Sequence, residues 1–323
     1  IKGFDYFYVL LVFSFVQAID FFVSIIIYFK KLGKFEFQID IKYMISMLKR
    51  AFPFFLSGIF ATMYFRIDVT LMSKLVPLSL IGYYENTVRE AVIGWYSASY
   101  NLFDAASSIA QAISAAILPV AVILFKESQK KFTELANMSI RYLLYITIPI
   151  AFGTTVLAEK FIELIYGPEY FLAALSLKIL IWALIPLGVN YVFSTIIISM
   201  HKEKKALIVL GSIVVVNILS NLILIPLFSL YGAAFSTVFT ELIYFIGYYV
   251  IILKDYKAIP FWNHLLKPLV SSVLMFFVLL FFNTYNVFIL ILLGIFTYLI
   301  SMFLLRAFSF NEITHIVKMV KSK

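Results

Sequence analysis

The stretch ALIVLGSIVVVNILSNLILIPLF, residues 206–228, holds no charged side chain. After Ser229-Leu230-Tyr231 the pattern resumes as GAAFSTVFTELIYFIGYYVIIL, residues 232–253, with Glu241 as its one charge. A helix that crosses a bilayer needs about 20 mainly apolar residues. It must also satisfy its backbone polar groups internally, because hydrocarbon offers them no partner. Each of these two stretches has the length of one crossing. Similar stretches recur at 6–29, 52–76, 94–124, 142–158, 171–200, 265–283 and 286–305, which makes nine candidate spans. The spans 94–124 and 171–200 exceed what a bilayer requires, so they tilt, kink or emerge into water.

Composition agrees. The 323 residues are 63% hydrophobic and only 13% charged, against roughly 25% charged in a soluble domain. So few charges cannot cover a water-facing surface. Lipid is therefore the solvent for most of the chain, and the fold class is an all-α polytopic membrane bundle. There is no cysteine, which excludes disulfides, thiolate metal sites and cysteine nucleophiles. The net charge of +9 sits in short loops between apolar runs. It is read as positive-inside bias rather than as a nucleic-acid surface.

Loops after spans one, three, five and seven, with the C-terminal tail, hold twenty Lys and Arg. The opposite side holds five: Lys2, Lys74, Arg89, Lys160 and Lys178. The remaining one, Arg66, lies inside a span. This asymmetry predicts a multi-pass cell-membrane protein with a cytoplasmic C-terminus and residue 1 on the outer side. The stretch 35–50 alternates and then turns helical. It is basic and amphipathic, and reads as an interfacial linker or a solvated loop. The tail 307–323 is similar.

Ionisable groups at membrane depth cost about 2.5–3.5 kcal/mol each on insertion scales and need partners or water. The candidates are Asp20, Arg66, Asp68, Asp104 and Glu241. Arg66 and Asp68 point roughly 200° apart on a helix. We expect Arg66 to face a water-filled path and Asp68 to pair with another helix, the reverse being the alternative. Ser97, Asn101, Asp104, Ser108 and Gln111 recur at intervals of four and three, so they form one polar helix face. That face lines either a wet cavity or a tight helix interface. Small residues such as Ala105, Ala112 and Ala116 crowd the same helix and favour close packing. Thr237, Glu241, Tyr244 and Tyr248 share another face. Asn217 and Asn221 lie one turn apart. Asn190 follows Pro186 and Gly188, which mark a helix break at functional depth.

Other chemistries find no support. His201, His264 and His315 make no ligand spacing, so no metal site is expected. There is no Gly-rich phosphate loop with a lysine, so ATP hydrolysis is not expected. No cofactor is called for. The outer loops are short, and 229–231 and 284–285 carry no charge. This argues against a membrane-embedded glycan polymerase or glycosyltransferase and for a transporter that is not an enzyme.

Several motifs resemble one family. Residues 49–75, running from Lys49-Arg50-Ala51-Phe52-Pro53 through Arg66-Ile67-Asp68-Val69-Thr70, resemble the helix that opens the second half of polysaccharide flippases. Gly94-Trp95-Tyr96-Ser97-Ala98-Ser99-Tyr100 and Leu118-Pro119-Val120 resemble the start and close of their next helix. Ile165-Tyr166-Gly167-Pro168-Glu169-Tyr170 is similar to a loop of the same proteins. So is the run Asn217, Asn221, Ile225-Pro226 and Gly232-Ala233-Ala234. The family is the Wzx-like polysaccharide and O-antigen flippase branch of the multidrug/oligosaccharidyl-lipid/polysaccharide (MOP) superfamily, related to the MATE transporters.

The resemblance implies a helix equivalent to the family's sixth in 1–34, a cytoplasmic amphipathic linker in 35–50, a six-helix C-terminal lobe in 51–258, and an extra helix pair with a cytoplasmic tail in 259–323. It implies flipping of a polyprenyl-(pyro)phosphate-linked oligosaccharide by alternating access. The partners would be that substrate, membrane lipids and a first lobe missing from the sequence; nucleic acid is not among them. The implied cavity residues are Arg66, Asn101, Asp104, Gln111 and Asn190, with Arg66 as the counter-charge to phosphate. The alternative in the same fold is an H+- or Na+-coupled drug or metabolite antiporter using Asp68, Asp104 or Glu241.

An outside residue 1 predicts an odd number of crossings upstream if the true N-terminus is cytoplasmic. The gene's 5′ end checks this: five upstream spans are expected, and an even number with an inside start refutes it.

Overall fold

A computed structural model of the protein describes residues 6–32, 40–76, 89–255 and 264–307. The described residues are helical almost throughout and divide into two compact units, Ile1–Phe52 and Pro53–Lys323. The first unit holds α1 (Tyr6–Leu32) and the opening turns of α2 (Ile41–Leu75). Asp40 caps α2, its Oδ1 accepting from the Tyr43 amide at 3.0 Å. Most of the interfacial stretch expected at 35–50 is thus helical from Ile41, while 33–39 lie outside the described residues, as does the tail 308–323. Asp20 is exposed on α1.

The second unit continues α2 and adds α3 (Arg89–Glu127), α4 (Gln129–Tyr166), α5 (Phe171–Leu180), α6 (Leu184–Ser199), α7 (Glu203–Asp255), α8 (Leu266–Phe281) and α9 (Val287–Leu304). Seven segments of the described chain are long and apolar enough to cross a membrane. One of them, α7, has 53 residues and as a straight rod would be roughly 80 Å long, far beyond a hydrocarbon core of about 30 Å. It is a hairpin: the backbone reverses at Ser229, whose φ of 55° and ψ of −131° are non-helical. Bonds across the arms show the reversal. Asn217 Nδ2 donates to Thr240 Oγ1 at 3.2 Å, and the Ser220 and Ser236 hydroxyls bond each other. With the arms counted separately and the shorter α8 included, every span expected from the sequence is a helical segment.

The span 171–200 is interrupted. A 3₁₀ turn at Ile181–Ala183 separates α5 from α6. The break thus precedes Pro186 and Gly188 instead of falling on them. Proline has no N–H to give the carbonyl four residues earlier, at Trp182, and fits without loss in the first turn of a new helix. Gly188 continues that helix. A Cβ there would lie 3.0 Å from Thr147 Cγ2 and 3.7 Å from Ala110 Cβ, so the glycine serves close packing of α6 on α3 and α4. The helices α3 and α4 also run past the expected spans 94–124 and 142–158. Ser128 caps α4, accepting from the Lys131 amide at 3.4 Å, and Gly167 ends it with φ 94°.

Two apolar layers fill the bundle. One joins Phe132, Ile140, Leu144, Phe193, Ile197 and Ile252. The other joins Met72, Val76, Phe103, Leu184, Ile225 and Ala233. A third cluster seats α8 and α9 on α4 through Leu157, Met275, Leu279 and Leu290. There Tyr298 donates its hydroxyl to the Tyr145 carbonyl at 2.8 Å.

The α7 reversal depends on Gly232, where a Cβ would meet the Leu224 carbonyl oxygen at 2.0 Å and nothing flexible could yield. Gly232→Ala is expected to cost roughly 2–3 kcal/mol, read as a lowered thermal unfolding midpoint in detergent. At Gly94 a Cβ meets nothing within 4 Å, so Gly94→Ala should leave the midpoint within error.

Candidate functional site

On α2, Tyr64, Asp68 and Met72, with Val76 just past its end, recur every fourth position and are buried. This is the stripe a helix presents to its core. Arg66 lies two residues from Asp68 and emerges on the opposite side, exposed together with Thr62 and Thr70. The threonine hydroxyls donate to their own helix, Thr62 to Gly58 O at 2.9 Å and Thr70 to Arg66 O at 3.2 Å. The Arg66 guanidinium makes no ion pair or hydrogen bond among the described residues.

Asp68 is 3% exposed. Its Oδ2 accepts the Tyr96 hydroxyl of α3, and its Oδ1 accepts the Val69 amide at 2.8 Å. Its neighbour one turn earlier, Tyr64, donates to Glu241 Oε1 on α7 at 2.9 Å. Glu241 is 1% exposed. Its other oxygen, Oε2, accepts from Asn190 Nδ2 of α6 at 2.7 Å. The same Asn190 nitrogen also reaches the Glu241 carbonyl at 3.2 Å. Two acceptors on one nitrogen fix the amide's orientation, and Asn190 Oδ1 is left buried without a partner. Beside this group, Asn221 Nδ2 donates to Asn217 Oδ1 at 3.1 Å. A polar layer thus lies between the two apolar layers of the bundle.

A cavity of about 230 Å³ opens beside that layer, between α2, α6 and α7. Tyr64, Asn190, Ser194, Glu241 and Tyr244 line it, with Glu203 also on its wall. Tyr244 donates to the Tyr248 hydroxyl at 2.7 Å. Among the described residues, no Lys or Arg borders the cavity.

The polar stripe of α3 lies elsewhere. Asn101, Asp104, Ser108 and Gln111 are exposed, while Ser97 is half-buried. The opposite face of α3 packs inward through Ala98, Ser99, Phe103, Ala110 and Ser114. There Ser99 Oγ donates to Ser176 Oγ at 3.1 Å and Ser114 Oγ to the Tyr191 carbonyl at 2.7 Å. Asn101 Nδ2 reaches the Tyr166 hydroxyl at 3.5 Å, and Asp104 Oδ1 accepts from Ser107 Oγ at 3.4 Å, both long contacts.

The sequence candidates therefore separate into two sets. Asn190 and Glu241 meet in the buried layer, with Asp68 buried nearby against α3. Arg66, Asn101, Asp104 and Gln111 lie on exposed faces. Sequence reasoning missed Tyr64 and Tyr96, the donors to the two buried carboxyls. Tyr64 carried a signal, since it shares the helix face of Asp68 one turn away. Tyr96 carried only its place in the Gly94–Tyr100 motif. Around Gly167, the indole N–H of Trp95 donates to the Glu169 carbonyl at 3.0 Å, tying α3 to the turn after α4.

Residues 1–125 match the family described as "Polysaccharide biosynthesis protein". A curated relative, the "Probable low-salt glycan biosynthesis flippase Agl15" of Haloferax volcanii, is 24% identical over 163 residues, covering 50% of this chain and 34% of that protein. Among solved structures, the lipid II flippase MurJ in an inward closed conformation superposes with a TM-score of 0.69 at 20% identity, over 88% of this chain and 59% of that one. A MOP superfamily transporter from Pyrococcus furiosus superposes with a TM-score of 0.51 at 14% identity, over 78% and 61%. The chain spans less than two thirds of each of these proteins. The likeness at these identities is one of fold, and it agrees with the resemblance in the motifs. This polytopic membrane bundle is similar in fold to those two transporters, and its first 125 residues match the polysaccharide biosynthesis family.

Proposed function

We propose that the protein moves a lipid-linked oligosaccharide across the cell membrane by alternating access, without chemical change to the substrate. The supporting observation is the pair of exposed polar faces, Arg66 on α2 and Asn101, Asp104 and Gln111 on α3. A cation and a carboxylate turned to hydrocarbon would be costly. Turned to water they become a cavity wall. Such a wall suits a sugar head group, which needs amide and carboxylate partners, and its phosphate, which needs a guanidinium. The lipid tail stays in the bilayer. Residues 51–258 are read as one lobe of the transporter, closing against a second. The 59% coverage of the flippase structure leaves room for that second lobe. The family match and the named relatives favour a glycan substrate. Its sugars and its polyprenyl carrier belong to the proposal.

An ion-coupled drug or metabolite antiporter is the second reading. It is favoured by two buried carboxyls, Asp68 and Glu241, with no ion pair among the described residues. Drug resistance that depends on the protein, with glycan export intact without it, selects this reading.

The orientation is part of the proposal. The chain has no cysteine, so single cysteines report sidedness directly. Lys204→Cys is expected to react with an impermeant maleimide only from the cytoplasm, and Lys160→Cys only from outside. The reverse pattern overturns the assignment.

Arg66→Ala is expected to abolish surface glycan at unchanged levels of folded protein. Arg66→Lys should restore part of it, because an ammonium keeps the charge but not the planar fork. Normal surface glycan in Arg66→Ala would remove Arg66 from the mechanism.

A further inference from the structure

Two tyrosines stand at the Asn101 end of the exposed α3 face. Tyr166 closes α4, and Tyr170 ends the turn that follows. Their rings lie 5.4 Å apart at an interplanar angle of 36°. Both are half-buried, so part of each ring remains open. The pair packs on a cluster that includes Ala98, Ala158, Ile162 and Ala173. The backbone that carries the rings is fixed as well. The Gly167 amide donates to the Glu163 carbonyl at 3.0 Å, the Tyr170 amide to the Gly167 carbonyl at 3.2 Å, and the Trp95 indole to the Glu169 carbonyl at 3.0 Å. Gly167 makes the turn possible with a φ of 94°, which side chains disfavour. Rings held this way lose little freedom when a ligand arrives. Their hydroxyls are less committed. Tyr166 Oη meets Asn101 Nδ2 at 3.5 Å, beyond the usual range of a hydrogen bond. The Tyr170 hydroxyl has no hydrogen-bond partner among the described residues. Tyrosines of an interfacial belt sit at head-group level with their polar tips toward water. Tyr166 turns its hydroxyl to the polar face of α3 instead.

We propose that Tyr166 and Tyr170 form a platform for one neutral pyranose ring of the transported head group, with Asn101 as its hydrogen-bonding partner. A pyranose has a face of C–H groups and a rim of hydroxyls. The C–H face carries slight positive charge and suits the negative face of an aromatic ring. The rim needs groups that both donate and accept, which one amide and two phenols supply. The long contact between Asn101 and Tyr166 is weak enough to be exchanged for bonds to a sugar. Neither the rings nor the amide carries charge, so the platform recognises the sugar and leaves the phosphate to Arg66. It rests on the transport reading for its ligand class. To that reading it adds a sugar-selecting end of the α3 face. In the proposed orientation this end lies on the outer side, where the head group leaves the protein.

The test is saturation-transfer NMR on the purified full-length protein in lipid nanodiscs, which avoid glycoside detergents. The probes are the methyl glycosides of glucose, galactose, mannose and N-acetylglucosamine. The wild type is expected to bind at least one of them saturably, with the strongest transfer to ring C–H protons. Tyr166→Leu and Tyr170→Leu keep apolar bulk against the cluster and lose the aromatic face. Each should weaken binding roughly five- to tenfold, while unfolding cooperatively. Tyr166→Phe keeps the ring and should keep the contact. Asn101→Ala should weaken it by a smaller factor, and Arg66→Ala should leave it unchanged. No saturable transfer from any of the probes overturns the proposal, as does unchanged binding in folded Tyr166→Leu and Tyr170→Leu. Equal loss in Tyr166→Phe and Tyr166→Leu also overturns it, because the hydroxyl and not the ring would then make the contact. Glycan export by a protein that contacts no glycoside would overturn the platform and keep the transport reading. A contact that needs both rings, in a protein whose deletion leaves surface glycan normal, would keep the platform and refute the transport reading.

Discussion

The second unit depends on a reciprocal exchange of hydrogen bonds made by one turn of α2. Tyr64 gives its proton outward to Glu241 of α7, and Asp68 accepts one from Tyr96 of α3. One helix thus supplies a donor and an acceptor on the same face, and its two neighbours supply the complements. In water such bonds are worth about 1 kcal/mol each, since solvent competes for the same groups. In a membrane interior the competing solvent is hydrocarbon. Breaking either bond strands one carboxyl oxygen where hydrocarbon offers no replacement partner. Apolar packing is a weak guide to position there, because lipid tails are as apolar as the side chains they would replace. Polar pairs of this kind carry the information about where α2 sits.

This explains what was legible in the sequence. The spans were legible because crossing a bilayer imposes a length and a ban on unpaired charge, both visible in one dimension. The faces were legible as well. The two-residue offset between Arg66 and Asp68 separated an exposed side from a buried one, and the four-three spacing of Asn101, Asp104, Ser108 and Gln111 laid out one surface. The partners were not legible. Tyr64 and Glu241 are separated by most of the second unit, and nothing local in either segment marks the other. Among many tyrosines, those that bond a buried acid look like those that sit at an interface. The break before α6 was misplaced for a related reason. Proline disrupts the carbonyl one turn upstream, at Trp182, and leaves its own surroundings helical.

The two polar regions differ in kind. The buried layer at Asn190 and Glu241 is largely paired within the bundle and has a small cavity beside it. The exposed face of α3 has few and long internal bonds, and its small residues leave its backbone close to whatever lies against it. Helix α2 borders both, carrying Tyr64 toward the layer and Arg66 on its exposed face.

The reversal at Ser229 has a consequence for biogenesis. A turn this short leaves each arm of α7 the other as its nearest surface. Asn217 meets Thr240 and Ser220 meets Ser236 within the pair, so these polar atoms need no third helix. A pair inserted already folded back would expose less polar surface to lipid than two arms inserted in turn.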